Sequence, residues 1–145
     1  MNLPRPRTAS EIIKRGYTDE EIAHLFELGR LLLESGELRK AEAIFLGLIE
    51  VAQDFIPALL GLAYIYIHAR DYDAAINTLR SALKVDPQSP EALLYYVTCL
   101  ISTGDYSTAG SQLGELSEMI DLGEIDNPSI IRFYKVQLAR YTQRQ

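Results

Sequence analysis

Apolar residues in this chain follow the spacing of amphipathic helices, and the whole pattern recurs at an interval of about 34 residues. The clearest copy runs from Ile56 to Ser89, and its recurring positions are Leu59, Leu62, Ala63, Tyr66, Ala75, Leu79, Ala82 and Pro87. One interval earlier the matching residues are Leu25, Leu28, Gly29, Leu32, Ala41, Phe45 and Leu48. One interval later they are Leu93, Tyr96, Val97, Leu100, Ala109, Leu113 and Leu116. The pattern therefore predicts three copies of one helical unit.

Each copy divides into two helices joined by a short polar turn. The turns are the triplets at 35–37, 69–71 and 103–105. The apolar spacing predicts helices over residues 19–34, 38–51, 56–69, 72–85, 90–102 and 106–119. Thr18 and Glu21 have the spacing of a capping box at the start of the first helix. Pro57 and Pro90 fit the first turn of their helices, since proline lacks only a hydrogen bond that this turn does not make.

This spacing resembles the tetratricopeptide (TPR) repeat. In that repeat the first helix carries a Leu–small pair and an aromatic residue, and the second helix carries an alanine. One such hairpin cannot bury its apolar face alone, so neighbouring hairpins are expected to stack into a superhelix. Gly29, Ala63 and Ala75 mark points where helix backbones come close. The predicted fold class is all-α: a TPR superhelix of three helix-turn-helix repeats, with a short N-terminal helix and a C-terminal capping helix.

The repeat pattern and the helix end signals divide the chain into four parts. Residues 1–9 are predicted to be a flexible tail, and residues 10–17 a short N-terminal helix that stops at Gly16. The three repeats occupy 18–121, as units 22–55, 56–89 and 90–121. Asn127 and Pro128 are predicted to begin a last helix over 127–143. Its aromatic side is expected to cover the exposed end of the stack.

Composition narrows the function classes. The 145 residues suit one domain, and a net charge of −6 without a basic stripe disfavours nucleic acid and anionic membranes as partners. Neither an apolar leader segment nor a window of about 18 apolar residues is present, so we expect a cytoplasmic protein that is not inserted in a membrane. Cys99 is the only cysteine, which excludes an internal disulfide, and we expect it to be buried.

No group of residues has the pattern of a catalytic or metal site. His24 and His68 occupy different repeat positions, and neither lies at metal-ligand spacing from another histidine or a cysteine, so both are expected at the surface. Acidic residues such as Glu20 and Asp73 fall at helix starts, where the helix dipole already explains them. We therefore expect no enzyme, no metal and no cofactor.

The concave face of such a stack is the expected binding surface. Repeat geometry assigns it the second, fifth, ninth and twelfth residues of each first helix, counted from Ile22, Ile56 and Pro90. Nine of these twelve residues are predicted to contact a partner: Phe26, Arg30, Leu33, Leu60, Tyr64, Ile67, Leu94, Thr98 and Ile101. Because seven of the nine are large and apolar or aromatic, the sequence predicts a groove for an extended apolar segment. The alternative is that some of them pack only on neighbouring helices, or that the N-terminal segment fills the groove.

TPR co-chaperones that clamp the acidic C-terminus of heat-shock proteins use Lys, Asn and Arg at these positions. The matching residues in this chain are Phe26, Arg30, Tyr64 and Tyr95, of which only Arg30 is suited to that task. The sequence does not support a carboxylate clamp.

From about Ser10 to Leu116 the chain resembles the class II chaperones of bacterial type III secretion, which bind translocator proteins. The resemblance rests on the TDEE start, on LFELGRLLLESGELRKAEAIFLGLI, on GLAYIYIHARDYDAAINTLRSALKVDPQSP and on CLISTGDYSTA. It implies a cytoplasmic protein without ATPase activity, whose groove holds an extended segment of a secreted translocator. It also implies homodimerisation through N-terminal residues, here Ile12, Ile13 and Tyr17. Residues 51–54 and the aromatic last helix depart from the family, which leaves open a needle-subunit chaperone or a separate TPR adaptor.

Overall fold

The structure is a computed structural model that describes residues 16–144. Over that range the chain forms seven α-helices and no strand. They are α1 (Asp19–Glu34), α2 (Leu38–Val51), α3 (Ile56–His68), α4 (Tyr72–Val85), α5 (Pro90–Thr103), α6 (Tyr106–Asp121) and α7 (Pro128–Thr142). Each of the seven helices was predicted, and every boundary lies within two residues of the predicted one. The predicted tail at 1–9, most of the N-terminal helix at 10–17, and Ile12 and Ile13 lie outside the described residues.

Side-chain caps explain why the helices begin where they do. The Glu21 amide donates to Thr18 Oγ1 at 3.0 Å, and the Thr18 amide donates to Glu21 Oε1 at 2.9 Å, which is the predicted capping box. Asp71 and Asp105 cap α4 and α6 in the same way, by accepting from the amide three residues on. Asn127 caps α7.

The turn inside each hairpin requires one residue in the left-handed region. Gly36 and Gly104 take that position in the first and third hairpins, with φ values of 83° and 89°. In the second hairpin the same position is Arg70, with φ of 60°. A side chain makes this conformation costly, so the second turn is the strained one.

The helices stack as three hairpins, α1–α2, α3–α4 and α5–α6, each packed on the next. Contacts of α1 with α3, and of α3 with α5, place the first helices of the hairpins side by side on one face. Three buried clusters lie around Phe45, Leu79 and Leu116, and each is named here for the hairpin that holds that residue. The cluster of the first hairpin extends into α3 and that of the second into α5, so neighbouring hairpins share their cores. The fold is the predicted all-α TPR superhelix.

The last helix, α7, covers the end of the stack. It contacts both α5 and α6. Its apolar side packs on the buried cluster of the third hairpin through Ile130, Ile131, Phe133, Tyr134, Leu138 and Tyr141. Without α7 that cluster would face solvent, so the helix serves as the predicted cap.

Candidate partner-binding cleft

A cleft of about 490 Å³ opens on the face formed by α1, α3 and α5. Its lining residues are Phe26, Arg30, Leu33, Phe45, Pro57, Leu60, Gly61, Tyr64, Glu91 and Tyr95. Five of the nine residues predicted to contact a partner are therefore brought together here. Most of the cleft surface is apolar. Its charged and hydroxyl groups belong to Arg30 on α1, Tyr64 on α3, and Glu91 and Tyr95 on α5.

The floor of the cleft is aromatic. The ring of Phe26 lies 5.8 Å from that of Phe45 and 5.7 Å from that of Phe55, centroid to centroid, and the second contact is edge-to-face. Phe45 is 1% exposed. Its ring fits between two glycines, since a Cβ on Gly29 would lie 2.5 Å from it and a Cβ on Gly61 2.6 Å. The two glycines thus allow an aromatic ring between α1 and α3.

Among residues 16–144, Arg30 is the one cation in the cleft lining, and two carboxylates on its own helix pair with it. Its Nε donates to Glu27 Oε2 at 2.8 Å and its Nη2 to Glu27 Oε1 at 2.7 Å, while its Nη1 donates to Glu34. These bonds raise the pKa of Arg30 and lower the pKa of Glu27, in each case chiefly through their mutual hydrogen bonds. The guanidinium is therefore poorly placed to act as a free anion-binding group.

The opposite side of the cleft carries Tyr64, Glu91 and Tyr95. Tyr64 is 39% exposed, and its ring stacks on the exposed His68 at 5.6 Å. The ring of Tyr95 meets that of Phe133 on α7 edge-to-face at 5.5 Å. Burial, and then the charges of Glu91 and Tyr64, raise the pKa of Tyr95. This end of the cleft therefore offers hydroxyl groups beside a carboxylate.

Two predicted contact residues on α5 do not reach this surface. Leu94 is 0% exposed and Ile101 8% exposed, and both belong to the buried cluster that α7 covers. The prediction that they face an open groove is wrong for this structure, because α7 occupies the space in front of them. On α5, Glu91 and Tyr95 line the cleft instead.

Ile67 and Thr98 are half-buried and lie outside the cleft lining. Ile67 packs against the cluster of the second hairpin. The Thr98 hydroxyl donates to the Leu94 carbonyl at 2.8 Å, so its polar group is used within α5.

The sequence did not indicate that Phe45 and Gly61 line the cleft. Tyr95 was placed at a carboxylate-clamp position, and Pro57 and Glu91 were placed on the concave face, but none of the three was selected as a contact residue. The position of Gly61 could have indicated a close contact, because a glycine inside a helix weakens the helix and usually has a packing reason. Phe45 was recognised only as a core residue.

A second depression, of about 590 Å³, lies on the side formed by α2 and α4. Leu46 and Val85 line it and are 45% and 44% exposed. It lacks an aromatic floor and includes Glu50 and Lys84. It provides a comparison surface for any test of the first cleft.

Other predicted features can be placed as well. Cys99 is buried, and burial raises the pKa of its thiol to about 11. Within residues 16–144, no three His, Cys, Asp or Glu side chains cluster in a way that could hold a metal ion. None of the helices over the same range is long and apolar enough to cross a membrane.

Two family models described as tetratricopeptide repeat match the sequence, over residues 26–78 and 66–120. No curated protein sequence matches it. Among solved structures, the type III secretion translocator chaperone SycD of Yersinia enterocolitica superimposes with a TM-score of 0.77 at 19% identity, covering 95% of this chain and 98% of SycD. SycD in complex with a peptide of the translocator YopD gives a TM-score of 0.75 at 20% identity, covering 86% and 92%.

PcrH of Pseudomonas aeruginosa, in complex with the chaperone binding region of PopB, gives a TM-score of 0.73 at 18% identity, covering 86% of this chain and 98% of PcrH. The TPR2AB domain of yeast Sti1, in a complex with Hsp90, gives 0.75 at 17% identity, covering 92% of this chain and 50% of the Sti1 chain. The chain is therefore a tetratricopeptide-repeat protein. In fold it resembles the translocator chaperones of type III secretion.

Proposed function

We propose that this protein is a type III secretion chaperone that binds an extended apolar segment of a secreted translocator in the cleft between α1, α3 and α5. The observation that carries the proposal is the accessible apolar surface of Phe26, Leu33, Leu60 and Tyr64 on one face of the stack. The likeness to SycD and PcrH, which have been solved with segments of YopD and PopB, supports the same role.

The cleft suits an extended segment better than a folded partner. Its volume of about 490 Å³ accommodates a few side chains, and the surrounding helices leave it open at the surface. An extended client places alternate side chains into such a site while its own fold stays unformed. Apolar surface of the client would thus be covered before export, without a metal, a cofactor or catalysis.

We further propose that the chaperone acts in the bacterial cytoplasm, where a translocator is synthesised. Dimerisation through Ile12, Ile13 and Tyr17 also remains a proposal. Tyr17 is 44% exposed and so is accessible for such a contact. Sedimentation at tens of micromolar tests this part separately, and a monomer there would contradict it.

The cleft is tested by co-expression with a translocator in a host that lacks the secretion system. The double variant Leu60→Glu/Tyr64→Glu places two carboxylates on the apolar wall, so it is expected to lose client binding and leave the translocator insoluble. The matched control, Leu46→Glu/Val85→Glu, changes the surface between α2 and α4 by the same charge and is expected to retain binding. Circular dichroism must show unchanged helix content for both. Undiminished client binding by Leu60→Glu/Tyr64→Glu would contradict the proposal and point to the convex face or the termini instead.

The second candidate is a TPR adaptor that joins folded proteins in another assembly. The TPR2AB domain of yeast Sti1 matches this fold about as well as SycD and PcrH do, which supports the adaptor as a second candidate. TPR folds of this shape are therefore not confined to secretion. An adaptor would leave the solubility of a co-expressed translocator unchanged. A needle-subunit chaperone would instead stabilise a small helical client.

A further inference from the structure

The charged groups around the cleft are unequal in sign. Arg30 is matched by Glu27 and Glu34 on α1, and Glu91 adds a carboxylate on α5. One guanidinium against three carboxylates leaves these four side chains with a net charge of −2. The protein as a whole carries −6. An incoming segment therefore meets a negative potential at the cleft.

Glu91 is the carboxylate without a counter-ion at this site. It is exposed in the first turn of α5, and in the part of the chain that the structure describes its carboxylate takes part in no ion pair or hydrogen bond. Glu27 and Glu34, in contrast, both pair with Arg30. A cation brought by a partner would thus find Glu91 unpaired.

Two tyrosines complete the surroundings of Glu91. Tyr95 lies one helical turn further along α5, and Tyr64 faces it from α3 across the same cleft. After burial, the charges of Glu91 and Tyr64 both contribute to raising the pKa of Tyr95, so each of these two groups lies within electrostatic reach of Tyr95. Hydroxyl oxygens, ring faces and a carboxylate are the groups that surround ammonium and guanidinium ions in proteins.

We propose that the segment bound in the cleft carries a lysine or arginine next to its apolar anchors, and that this cation pairs with Glu91 beside Tyr64 and Tyr95. The proposal rests on the proposed function and names the chemistry of its client. The apolar stem of such a side chain lies along the cleft wall while its charged end reaches the rim. An acidic segment is disfavoured, because it would meet three carboxylates and a guanidinium that is already paired.

The test uses fluorescein-labelled synthetic peptides of one translocator segment with spaced apolar residues. Each position between the apolar residues is set in turn to Lys, Gln or Glu, and Kd is measured by fluorescence anisotropy against the full chain. At the favoured position, Lys is expected to bind wild type about 3- to 10-fold more tightly than Glu, the range for a partly exposed ion pair with an aromatic contribution. Added salt should reduce the ratio of the Kd of the Glu peptide to that of the Lys peptide, because it screens the ion pair.

Glu91→Gln is expected to abolish the preference for Lys, and Glu91→Lys to reverse it. Glu118→Gln makes the same change in net charge on α6, away from the cleft, and is expected to keep the preference. Circular dichroism must show unchanged helix content for all three variants at the temperature of the binding experiment. Equal Kd values for the Lys and Glu peptides at every position would overturn this inference and leave the proposed function standing. Absence of binding by any peptide to wild type would overturn the proposed function itself, and this inference with it.

Discussion

Replacing Gly61 by alanine tests whether the aromatic floor of the cleft is packed as the structure describes it. The new Cβ would lie 2.6 Å from Phe45 Cε2 and 2.8 Å from Cζ, well inside van der Waals contact. The ring cannot move toward α1 either, because it already packs against Gly29 on that side. A Cβ added to Gly29 would lie only 2.5 Å from the ring. Phe45 is 1% exposed, so moving it also disturbs the cluster of the first hairpin.

The magnitude follows from two opposing effects. Alanine is better than glycine inside a helix by about 1 kcal/mol, whereas overpacking a filled core costs about 1–3 kcal/mol. Gly47 on α2 separates these effects, since a Cβ there meets no atom within 4 Å. Gly47→Ala should raise the free energy of unfolding by about 0.5–1 kcal/mol. Gly61→Ala should then lie about 1–3 kcal/mol below Gly47→Ala.

Urea unfolding followed by circular dichroism measures both variants, and thermal unfolding gives a second reading. For a chain of this size, 1 kcal/mol corresponds to about 3 °C in Tm. The predicted result is a Tm for Gly61→Ala that is lower by several degrees than that for Gly47→Ala. If the two substitutions stabilise the protein equally, the Phe45 ring is not held between α1 and α3, and the floor of the cleft is wrongly described.

Three further predictions follow. Arg70→Gly should raise the free energy of unfolding by about 0.5–1 kcal/mol, because it relieves a left-handed residue; a loss of stability in urea would contradict this. Cys99 should resist a thiol reagent at pH 8 until the protein unfolds, since the thiol is buried and its pKa is raised to about 11; fast native labelling would contradict it. Hydrogen bonds to Thr18 lower the pKa of Glu21, so stabilisation by Glu21 is present above the unfolded pKa and lost as pH falls through the folded pKa. Glu21→Gln should therefore reduce Tm at pH 7 and not at pH 2; equal Tm losses would refute it.

The helices were predictable because the same apolar pattern repeats with no insertion, and because caps and prolines mark the ends. Thr18, Asn127 and Pro128 each stand where a helix begins in the structure. The repeat also gives the rotation of each helix, which is why Phe26, Leu60 and Tyr64 were correctly expected on one face. Local sequence carries this part of the fold.

The α5 side of the cleft was not predictable in the same way. The repeat rule assigned Leu94 and Ile101 to an open surface, but α7 lies outside the repeat pattern and its docking on α5 covers them. Nothing within α5 itself distinguishes a residue that faces solvent from one that faces α7. The cleft therefore ends at Glu91 and Tyr95.

The glycine positions show a related limit. Gly29 fits a slot of the repeat and was expected to mark a close approach of helices. Gly61 fits no such slot, and its role appears only when Phe45, from a different helix, is seen against it. Contacts between three helices leave no fixed spacing in the sequence.

The most direct test of the binding cleft is methyl chemical-shift mapping of the full chain titrated with a translocator segment. Leu33 and Leu60 line the cleft, whereas Leu46 and Val85 line the depression between α2 and α4. We predict that the segment shifts the methyl signals of Leu33 and Leu60 in a saturable way and leaves those of Leu46 and Val85 unchanged. Saturable shifts at Leu46 and Val85, with Leu33 and Leu60 unchanged, would contradict it.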